Sequence, residues 1–372
     1  MKMDLICFSH LRWNFVYQRP QHLVSRFTTH YRVFYIEEPL YDAPSRYNAI
    51  YEDPNTGVSV ITPHLPNSAK DDPMEKQALL DLFLESNDIK KMILWYYTPM
   101  ALEYSNHLKP ELLVYDCLDE LSAFRFAPSA LHEYERQLFK MADIVFTGGH
   151  NLYESKKSSH HNIYPFPSSI DKNHFEQART IKEDPADQAG IPHPRIGYYG
   201  VIDERFDIPM ITALALMRPD WHFVIIGPIA KIDPETLPQL KNIHFPGQKN
   251  YKELPAYLAG WDVAIMPFLL NESTEFISPT KTPEYLAGGK PVVSTSIKDV
   301  VNPYGEKELV EIADTPTEFL DAIERALNMQ DRERWLTKVD EFLANTSWNK
   351  TWQEMSTLML ETKNKKNKQA YV

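Results

Sequence analysis

The stretch Ile277–Ser294, ISPTKTPEYLAGGKPVVS, decides the fold of this chain. Pro283 is typical of the first turn of a helix, because its fixed φ suits that turn and its missing N–H costs nothing there. A Ser or Thr just before such a helix caps the exposed N–H groups, and Gly288 with Gly289 can end it. Pro291 and the apolar residues after it predict a buried strand. A loop, a helix and a strand in this order indicate an α/β fold.

The beginning of this helix is also predicted to bind phosphate. Ser278 and Thr280 flank a helix start whose free N–H groups and dipole attract anions. Lys281 adds a full positive charge beside them. Glu284 lies about one turn further on and can accept hydrogen bonds from ribose hydroxyls, as acidic side chains do in dinucleotide sites. The alternative, an ordinary helix with good caps, explains the Ser-Pro-Thr-Lys segment but not the whole motif.

Working outward, apolar runs alternate with helical stretches almost from end to end. Such continuous apolar runs are typical of parallel strands that are covered by helices on both faces. The predicted strands of the first half are Met3–Phe8, Arg32–Ile36, Lys91–Tyr96, Leu112–Tyr115 and Asp143–Thr147. Those of the second half are Arg195–Tyr199, Phe223–Ile226, Asp262–Met266 and Pro291–Ser294.

This alternation predicts two domains, residues 1–172 and 173–347. The polar stretch Gln177–Pro194 is interpreted as the connection between them, because it is rich in polar residues and prolines. Residues 348–372 are predicted to form a final helix that packs back on the first domain. Two α/β halves of similar size usually place a ligand in a central cleft.

Composition excludes several classes of protein. The net charge of −12 argues against nucleic-acid binding, because no excess of cations exists to replace phosphate counterions. Cys7 and Cys117 are the only cysteines, so neither a disulfide framework nor a four-cysteine zinc site is predicted. No apolar run reaches the roughly 18 residues of a membrane span, and the N-terminus lacks a signal-peptide pattern, which predicts a cytoplasmic location. The Lys363–Lys368 segment is interpreted as a solvated end, with a weak contact to an anionic membrane surface as the alternative.

Glycine placement excludes two classes of nucleotide-binding protein. The first of the 12 glycines is Gly57, so the turn after the first strand contains none. A G-x-G-x-x-G fingerprint is therefore absent there, and no P-loop sequence occurs in the chain. These absences disfavour a dehydrogenase and a P-loop kinase.

The glycine-free first turn instead carries aromatic and cationic residues at the carboxyl end of a predicted strand. Parallel sheets present ligands at that end. Trp13 can stack on the apolar face of a sugar, and His10, Arg12 and Arg19 can supply charge and hydrogen bonds. Any single aromatic residue of the turn could instead simply cover the sheet edge.

The motif S-P-T-K-x-x-E-Y-L-A-x-G-K-P-V-V-S-T resembles the donor segment of bacterial GT-B glycosyltransferases of the large retaining group that is often called family 1 or family 4. The resemblance extends upstream through Gly200–Asp207, Arg218–Trp221 and Trp261–Val263. The N-terminal segments Phe8–Trp13 and Tyr115–Glu120 are similar to the subgroup that includes teichuronic-acid-type glycosyltransferases.

This resemblance implies a GT-B fold, in which two Rossmann-like domains with parallel sheets face a central cleft. It places the acceptor on the N-terminal domain and the nucleotide sugar on the C-terminal domain. Glu284 matches the second glutamate of the E-x7-E element of the family, which is expected to hold the ribose. The first glutamate falls at Phe276, and whether the adjacent Glu275 replaces it stays open.

The predicted donor site comprises six residues: Gly200, Arg205, Ser278, Thr280, Lys281 and Glu284. Val201 stands near the arginine that commonly grips the diphosphate, which leaves Arg205 and Lys281 as the candidates for that role. Arg12, Trp13 and Arg19 are the predicted acceptor-binding residues.

The resemblance implies that catalysis proceeds with retention, and the sequence predicts that it needs no metal ion or other cofactor. No D-x-D triplet is present, so cationic side chains are expected to stabilise the leaving diphosphate. Asp119 or His10 could act as a base or position the acceptor. Alternatively, Asp119 caps a helix and His10 packs within its loop.

The sequence therefore predicts a glycosyltransferase that moves a sugar from a nucleotide-diphosphate sugar to a saccharide or lipid-linked acceptor. Cell-envelope or exopolysaccharide biosynthesis is the expected setting, at the inner face of the membrane or free in the cytoplasm. The alternatives are a nucleotide- or saccharide-binding protein with weakened catalysis and a GT-B epimerase.

Overall fold

A computed structural model describes residues 3–370, and the chain forms two units. The first unit extends to Pro167 and resumes at Trp348, and the second comprises Ser168–Ser347. Residues 1–2 and 371–372, which the predicted domain ranges include, lie outside the described residues.

The first unit contains an eight-stranded sheet in the order β3-β4-β2-β1-β5-β6-β7-β8. Its strands are β1 (Asp4–Ser9), β2 (Arg32–Glu37), β3 (Tyr47–Glu52), β4 (Ser59–His64), β5 (Met92–Tyr96), β6 (Leu112–Cys117), β7 (Ile144–Thr147) and β8 (Ile163–Pro165). All neighbouring strands are parallel except β3, which runs antiparallel to β4. The helices are α1 (Arg19–Val24), α2 (Pro73–Ser86), α3 (Leu102–Ser105), α4 (Leu131–Met141) and α5 (His150–Lys156).

The five strands predicted for this half are confirmed within one or two residues at each end. They were recognisable because β1, β5, β6 and β7 are buried along their whole length. Strands β3, β4 and β8 were not predicted; in the edge strand β3, five of the six residues are exposed and the sequence lacks a buried face. Helix α1 is followed directly by a 3-10 turn, Ser25–Thr29.

The second unit contains a six-stranded parallel sheet in the order β11-β10-β9-β12-β13-β14. Its strands are β9 (Arg195–Tyr199), β10 (His222–Ile226), β11 (Ile243–Gly247), β12 (Val263–Met266), β13 (Val292–Ser294) and β14 (Glu311–Ile312). Its helices are α6 (Lys172–Glu176), α7 (Ile208–Met217), α8 (Leu254–Ala259), α9 (Lys281–Ala287), α10 (Lys298–Val300), α11 (Pro316–Leu327) and α12 (Arg332–Leu343). The four strands predicted for this half are confirmed, with β9 at its predicted bounds.

The stretch Gln177–Pro194 is not a connection between the units, and that interpretation was wrong. Gln188 is fully buried in the second unit, where its side chain donates a hydrogen bond to the carbonyl of Tyr257 at 3.1 Å and accepts one from the Trp261 indole at 2.9 Å. A buried amide with both ends satisfied is part of a domain interior. Polarity and proline content alone could not distinguish this packed segment from a solvated linker.

The last helix, α13 (Trp348–Ala370), belongs to the first unit. Trp348, Met355 and Met359 are buried in the core of that unit, at the spacing of one helical face. The Asn162 side chain donates a hydrogen bond to the Thr362 hydroxyl at 3.1 Å, which fixes the helix further along. Within residues 3–370, no helix is both long and apolar enough to cross a bilayer.

Candidate functional site

The predicted donor residues of the second unit lie at the carboxyl ends of its central strands. Gly200 follows β9 directly, and α9 begins at Lys281 in the segment between β12 and β13. The expected side-chain cap of α9 is absent, because Thr280 forms no cap hydrogen bond and the Thr282 hydroxyl lies 3.5 Å from the Met266 sulfur instead. With only seven residues, α9 has a small dipole, so charged side chains dominate the electrostatics of this site.

Gly200 provides the space for the Lys281 side chain. Its φ is +150°, a value that side-chain-bearing residues rarely adopt. A Cβ atom at this position would lie 2.2 Å from Lys281 Cε and 2.7 Å from Nζ. The lysine therefore crosses directly over the glycine, and any larger residue would displace it.

Two aromatic rings contact the ammonium group of Lys281. Nζ lies 5.7 Å from the centre of the Tyr198 ring and 5.9 Å from that of Phe268, within the range of cation–π attraction. Among residues 3–370, no carboxylate lies within ion-pair distance of Nζ. Burial lowers the pKa of Lys281, and the nearby Arg205 lowers it further, while Glu284 opposes both. Lys281 is therefore in no ion pair with any residue that the structure describes, although the nearby carboxylates of Glu284 and Asp203 act on its charge.

Glu284 lies one turn along the same helix and is 6% exposed. Its Oε2 accepts a hydrogen bond of 2.8 Å from the Tyr199 hydroxyl. Burial raises the pKa of Glu284, while the Tyr199 hydrogen bond and the Lys281 charge lower it. A lysine and a carboxylate thus stand side by side in surroundings that penalise both charges.

Arg205, the other predicted diphosphate ligand, is held by a neighbouring carboxylate. Its guanidinium donates three hydrogen bonds to the buried Asp203, from Nε to Oδ1 at 3.0 Å, from Nε to Oδ2 at 3.1 Å and from Nη2 to Oδ2 at 2.6 Å. The side chain remains about one-quarter exposed. The structure places it near enough to Lys281 to act on its charge.

Ser278 and Thr280 shape the loop before α9. The Ser168 hydroxyl donates to the Ser278 carbonyl at 2.6 Å, and the Ser168 N–H donates to the Ser278 hydroxyl at 3.4 Å. The Thr280 carbonyl accepts from the Glu284 N–H at 3.4 Å. These contacts fix the loop backbone, which in turn sets the direction of Lys281.

Glu275 lies on the surface and forms an ion pair of 2.7 Å with Lys298. The same lysine stands 6.0 Å from the centre of the Phe276 ring. The structure therefore does not turn Glu275 inward to the position of the first glutamate of the E-x7-E element.

In the first unit, the predicted acceptor loop is held down by Glu37. Glu37 accepts hydrogen bonds from Arg12 Nη1 at 2.9 Å, from the Trp13 N–H at 2.7 Å and from the Thr62 hydroxyl at 2.9 Å. The Trp13 indole is 4% exposed and donates to Asp53 at 2.9 Å. Trp13 thus presents no free ring face to a sugar, whereas Arg12 keeps one-third of its side chain exposed.

Arg19 is a buried structural residue in this arrangement. It is 5% exposed and forms two hydrogen bonds to the fully buried Asp116, of 3.2 and 2.9 Å. A third hydrogen bond, of 2.5 Å, joins its Nη1 to the Phe166 carbonyl. Burial raises the pKa of Asp116, and Arg19 opposes that shift. All of these contacts lie within the protein, so the predicted acceptor role does not fit Arg19.

His10 and Asp119 are both half-buried at the same edge of the first sheet. His10 follows β1 and Asp119 follows β6, with β5 between those two strands. The Asp119 carbonyl accepts the Leu121 N–H at 3.0 Å as the chain enters a 3-10 turn. His10 and Asp119 therefore lie at one edge of the sheet. Their roles in deprotonating or positioning the acceptor stay predictions.

Sequence reasoning missed Tyr199, Glu37 and Ser168, which hold the predicted residues in place. Each lies more than 20 residues from its partner, so no local spacing could reveal the contact. The position of Tyr199 just before Gly200 was the only available signal. Among the residues that the structure describes, no three His, Cys, Asp or Glu side chains cluster as metal ligands would.

Known glycosyltransferases are similar to this chain in sequence. Residues 194–329 match the family described as glycosyl transferases group 1. The chain is 26% identical over 279 residues to the putative teichuronic acid biosynthesis glycosyltransferase TuaH of Bacillus subtilis, and 70% of each chain is covered.

Solved structures extend the similarity to the whole fold. A sucrose-phosphate synthase from Thermosynechococcus elongatus matches with a TM-score of 0.74 and 14% identity, covering 97% of this chain and 99% of that one. The trehalose-6-phosphate protein from E. coli bound with UDP-2-fluoro glucose matches with a TM-score of 0.69 and 14% identity, covering 96% and 99%. The predicted GT-B fold is thereby confirmed.

Proposed function

Since this chain is a glycosyltransferase of the GT-B type, with a group 1 glycosyltransferase domain in its second unit, we propose that it transfers a sugar from a nucleotide-diphosphate sugar to a saccharide or lipid-linked acceptor. The observation that carries this proposal is the Lys281 ammonium seated over Gly200, one helical turn from Glu284. A cation with no carboxylate within ion-pair distance suits a diphosphate, and a buried carboxylate one helical turn away suits ribose hydroxyls.

Lys281 acts on the leaving group in this proposal. As the bond between the sugar and the diphosphate breaks, negative charge grows on the phosphate oxygens. A cation that is already in place stabilises that charge more in the transition state than in the ground state, which accelerates the step. Arg205, held in a salt bridge with Asp203, adds a second positive charge near the phosphate oxygens. The reaction needs no metal ion in this scheme, because side-chain cations carry out the stabilisation.

The acceptor binds to the first unit, at the edge that bears His10 and Asp119. One of these two residues orients or deprotonates the acceptor hydroxyl, and the partly exposed Arg12 contacts the acceptor. Trp13 and Arg19 support this edge from beneath and do not touch the acceptor. Transfer proceeds with retention, by front-face attack.

The setting we propose is synthesis of a cell-envelope or extracellular polysaccharide in the cytoplasm, at the inner face of the membrane. The relative in Bacillus subtilis is named for teichuronic acid biosynthesis, which supports an envelope polysaccharide as the product. Two lysines of the Lys363–Lys368 segment face carboxylates of the first unit, since Lys366 pairs with Asp143 at 2.7 Å and Lys363 lies 3.9 Å from Glu111.

The test of the donor site is a thermal-shift titration with UDP, GDP and ADP. We expect one of them to raise the Tm of the wild-type protein, since a ligand that binds only the folded state stabilises it. Lys281→Met keeps the aliphatic stem over Gly200 but removes the charge, so it should abolish the shift. Lys298→Met, which removes an exposed lysine of the same unit, is the matched control and should retain it.

Absence of stabilisation by all three nucleotides would contradict the proposal, and so would an equal shift in the Lys281→Met protein. The alternative function is a nucleotide- or saccharide-binding protein with weakened catalysis. Phe276 at the position of the first glutamate favours this alternative. Nucleotide binding without either hydrolysis or transfer of UDP-, GDP- or ADP-sugars would support it.

A further inference from the structure

The end of β9 and the first turns of α9 are joined by tyrosine hydrogen bonds. The Tyr199 hydroxyl donates to Glu284 Oε2 at 2.8 Å. The Tyr285 hydroxyl accepts the Tyr199 N–H at 2.9 Å and lies 3.3 Å from the Tyr199 carbonyl. The two tyrosine rings meet edge to face, with centroids 4.7 Å apart. Contacts to the backbone and the ring of Tyr199 therefore fix this residue, and its hydroxyl points at Glu284 Oε2.

Glu284 depends on that hydroxyl. Among residues 3–370, Tyr199 is the hydrogen-bond donor to its carboxylate, and Lys281 lies beyond ion-pair distance. A buried carboxylate needs hydrogen bonds to remain ionised and in one orientation. The bond uses Oε2 and leaves Oε1 without a protein donor, so one oxygen is fixed by the protein and the other is available to a ligand.

We propose that Tyr199 is a positioning residue that holds Glu284 with Oε1 directed at the ribose, and that this hydrogen bond sets the preference of the site for ribonucleotides. The assignment rests on the proposed function, because it takes the ribose of a nucleoside diphosphate as the ligand of Glu284. It adds a residue that lies outside the donor segment Ile277–Ser294.

The charged and titratable groups around Glu284 define its pH dependence. They are Tyr199 from β9, Lys281 and Tyr285 from α9, and the Asp203–Arg205 pair, which acts through Lys281. Burial raises the pKa of Glu284, and the hydrogen bond from Tyr199 is the strongest opposing influence. Removal of the hydroxyl therefore raises the pKa of Glu284 further, so the carboxylate becomes protonated at a higher pH.

The experiment is a calorimetric titration of the full-length protein with UDP, GDP and ADP, followed by the 2′-deoxy form of the nucleotide that binds. In Tyr199→Phe we expect affinity at neutral pH to fall about tenfold, the effect of losing a hydrogen bond to a charged group. In the same variant, the ratio of the affinity for the ribonucleotide to that for its 2′-deoxy form should fall towards the ratio measured for Glu284→Gln. In Tyr199→Phe, the fall in affinity on the acid side of the pH profile should begin at a higher pH than in the wild type. In Glu284→Gln, the contribution of Glu284 to that fall should disappear.

Tyr257→Phe is the matched control. Tyr257 is a buried tyrosine of the same unit whose hydroxyl also donates to a carboxylate, that of Asp187 at 2.7 Å. It should leave the ribose preference and the acidic limb unchanged, so a change common to both variants would indicate a general effect of removing a hydroxyl.

The outcomes separate the two proposals. A wild-type protein that binds no nucleotide contradicts the proposed function itself. A wild-type protein that binds, with Glu284→Gln weakened but Tyr199→Phe retaining wild-type affinity, ribose preference and pH profile, overturns the role of Tyr199 alone.

Discussion

The two units treat their predicted functional residues in opposite ways. In the second unit, Lys281 lies over Gly200 without a carboxylate partner, and one oxygen of Glu284 has no protein donor. In the first unit, Trp13 and Arg19 are buried and their polar atoms are bonded to Asp53, Asp116 and Phe166. Trp13 and Arg19 therefore act within the fold, whereas Lys281 and Glu284 keep capacity to bind a ligand.

The largest expected effect concerns stability and belongs to the first unit. Arg19→Met would leave Asp116 buried without its partner, which costs about 3–5 kcal/mol. We expect a correspondingly lower midpoint in urea unfolding, with the nucleotide affinity of the remaining folded protein unchanged. Arg46→Met removes an exposed ion pair with Glu75 and should cost less than about 1 kcal/mol. If the nucleotide affinity of Arg19→Met fell in proportion to its stability, the two units would not differ in function in this way.

The next effect belongs to the donor site. Gly200→Ala would place a Cβ 2.2 Å from Lys281 Cε, at a φ of +150° that alanine rarely adopts. Displacement of the lysine should lower nucleotide affinity about 100-fold, or about 2.7 kcal/mol, as measured by calorimetry. Gly190→Ala is the control, because a Cβ there would meet nothing within 4 Å. Full retention of affinity in Gly200→Ala would show that the position of Lys281 does not matter.

A pH titration sharpens the comparison. Burial raises the pKa of Glu284 above its ordinary 4.5 and lowers that of Lys281 below its ordinary 10.5. Because binding needs both charges, affinity should fall as Glu284 is protonated on the acid side and as Lys281 loses its proton on the alkaline side. The bell-shaped pH profile of the nucleotide affinity should thus be narrower than a glutamate and a lysine with ordinary pKa values would give. Lys281→Met should remove the alkaline limb, and a profile that is flat between the ordinary pKa values would refute the arrangement.

The smallest expected effect concerns the incomplete E-x7-E element. Glu275→Ala removes an exposed ion pair with Lys298, and such pairs contribute at most about 1 kcal/mol. Nucleotide affinity and transfer rate should therefore stay within about twofold of the wild type in steady-state assays. A loss of tenfold or more would mean that Glu275 does take the place of the first glutamate.

Much of the fold could be predicted from the sequence, because buried parallel strands such as β1 and β9 consist of uninterrupted apolar residues. The exposed strand β3 and the packed segment around Gln188 could not, since their structure depends on contacts with distant residues. The same division applies to the site. Lys281 and Glu284 are recognisable because they are three residues apart on one helix, whereas Tyr199 and Glu37 act on partners far along the chain.

The burial of Trp13 was the least predictable feature of the first unit. Its hydrogen bond to Asp53 spans 40 residues, and that aspartate lies after a strand that the pattern did not reveal. Without β3 in the prediction, nothing indicated that the tryptophan would be covered.

A crystal structure of the protein with the nucleoside diphosphate that binds tests the central claim most directly. We predict that a phosphate oxygen lies within hydrogen-bond distance of Lys281 Nζ and that a ribose hydroxyl lies within hydrogen-bond distance of Glu284 Oε1. A nucleotide bound to the loop of Arg12 in the first unit, or to the second unit without contact to either side chain, would contradict the account.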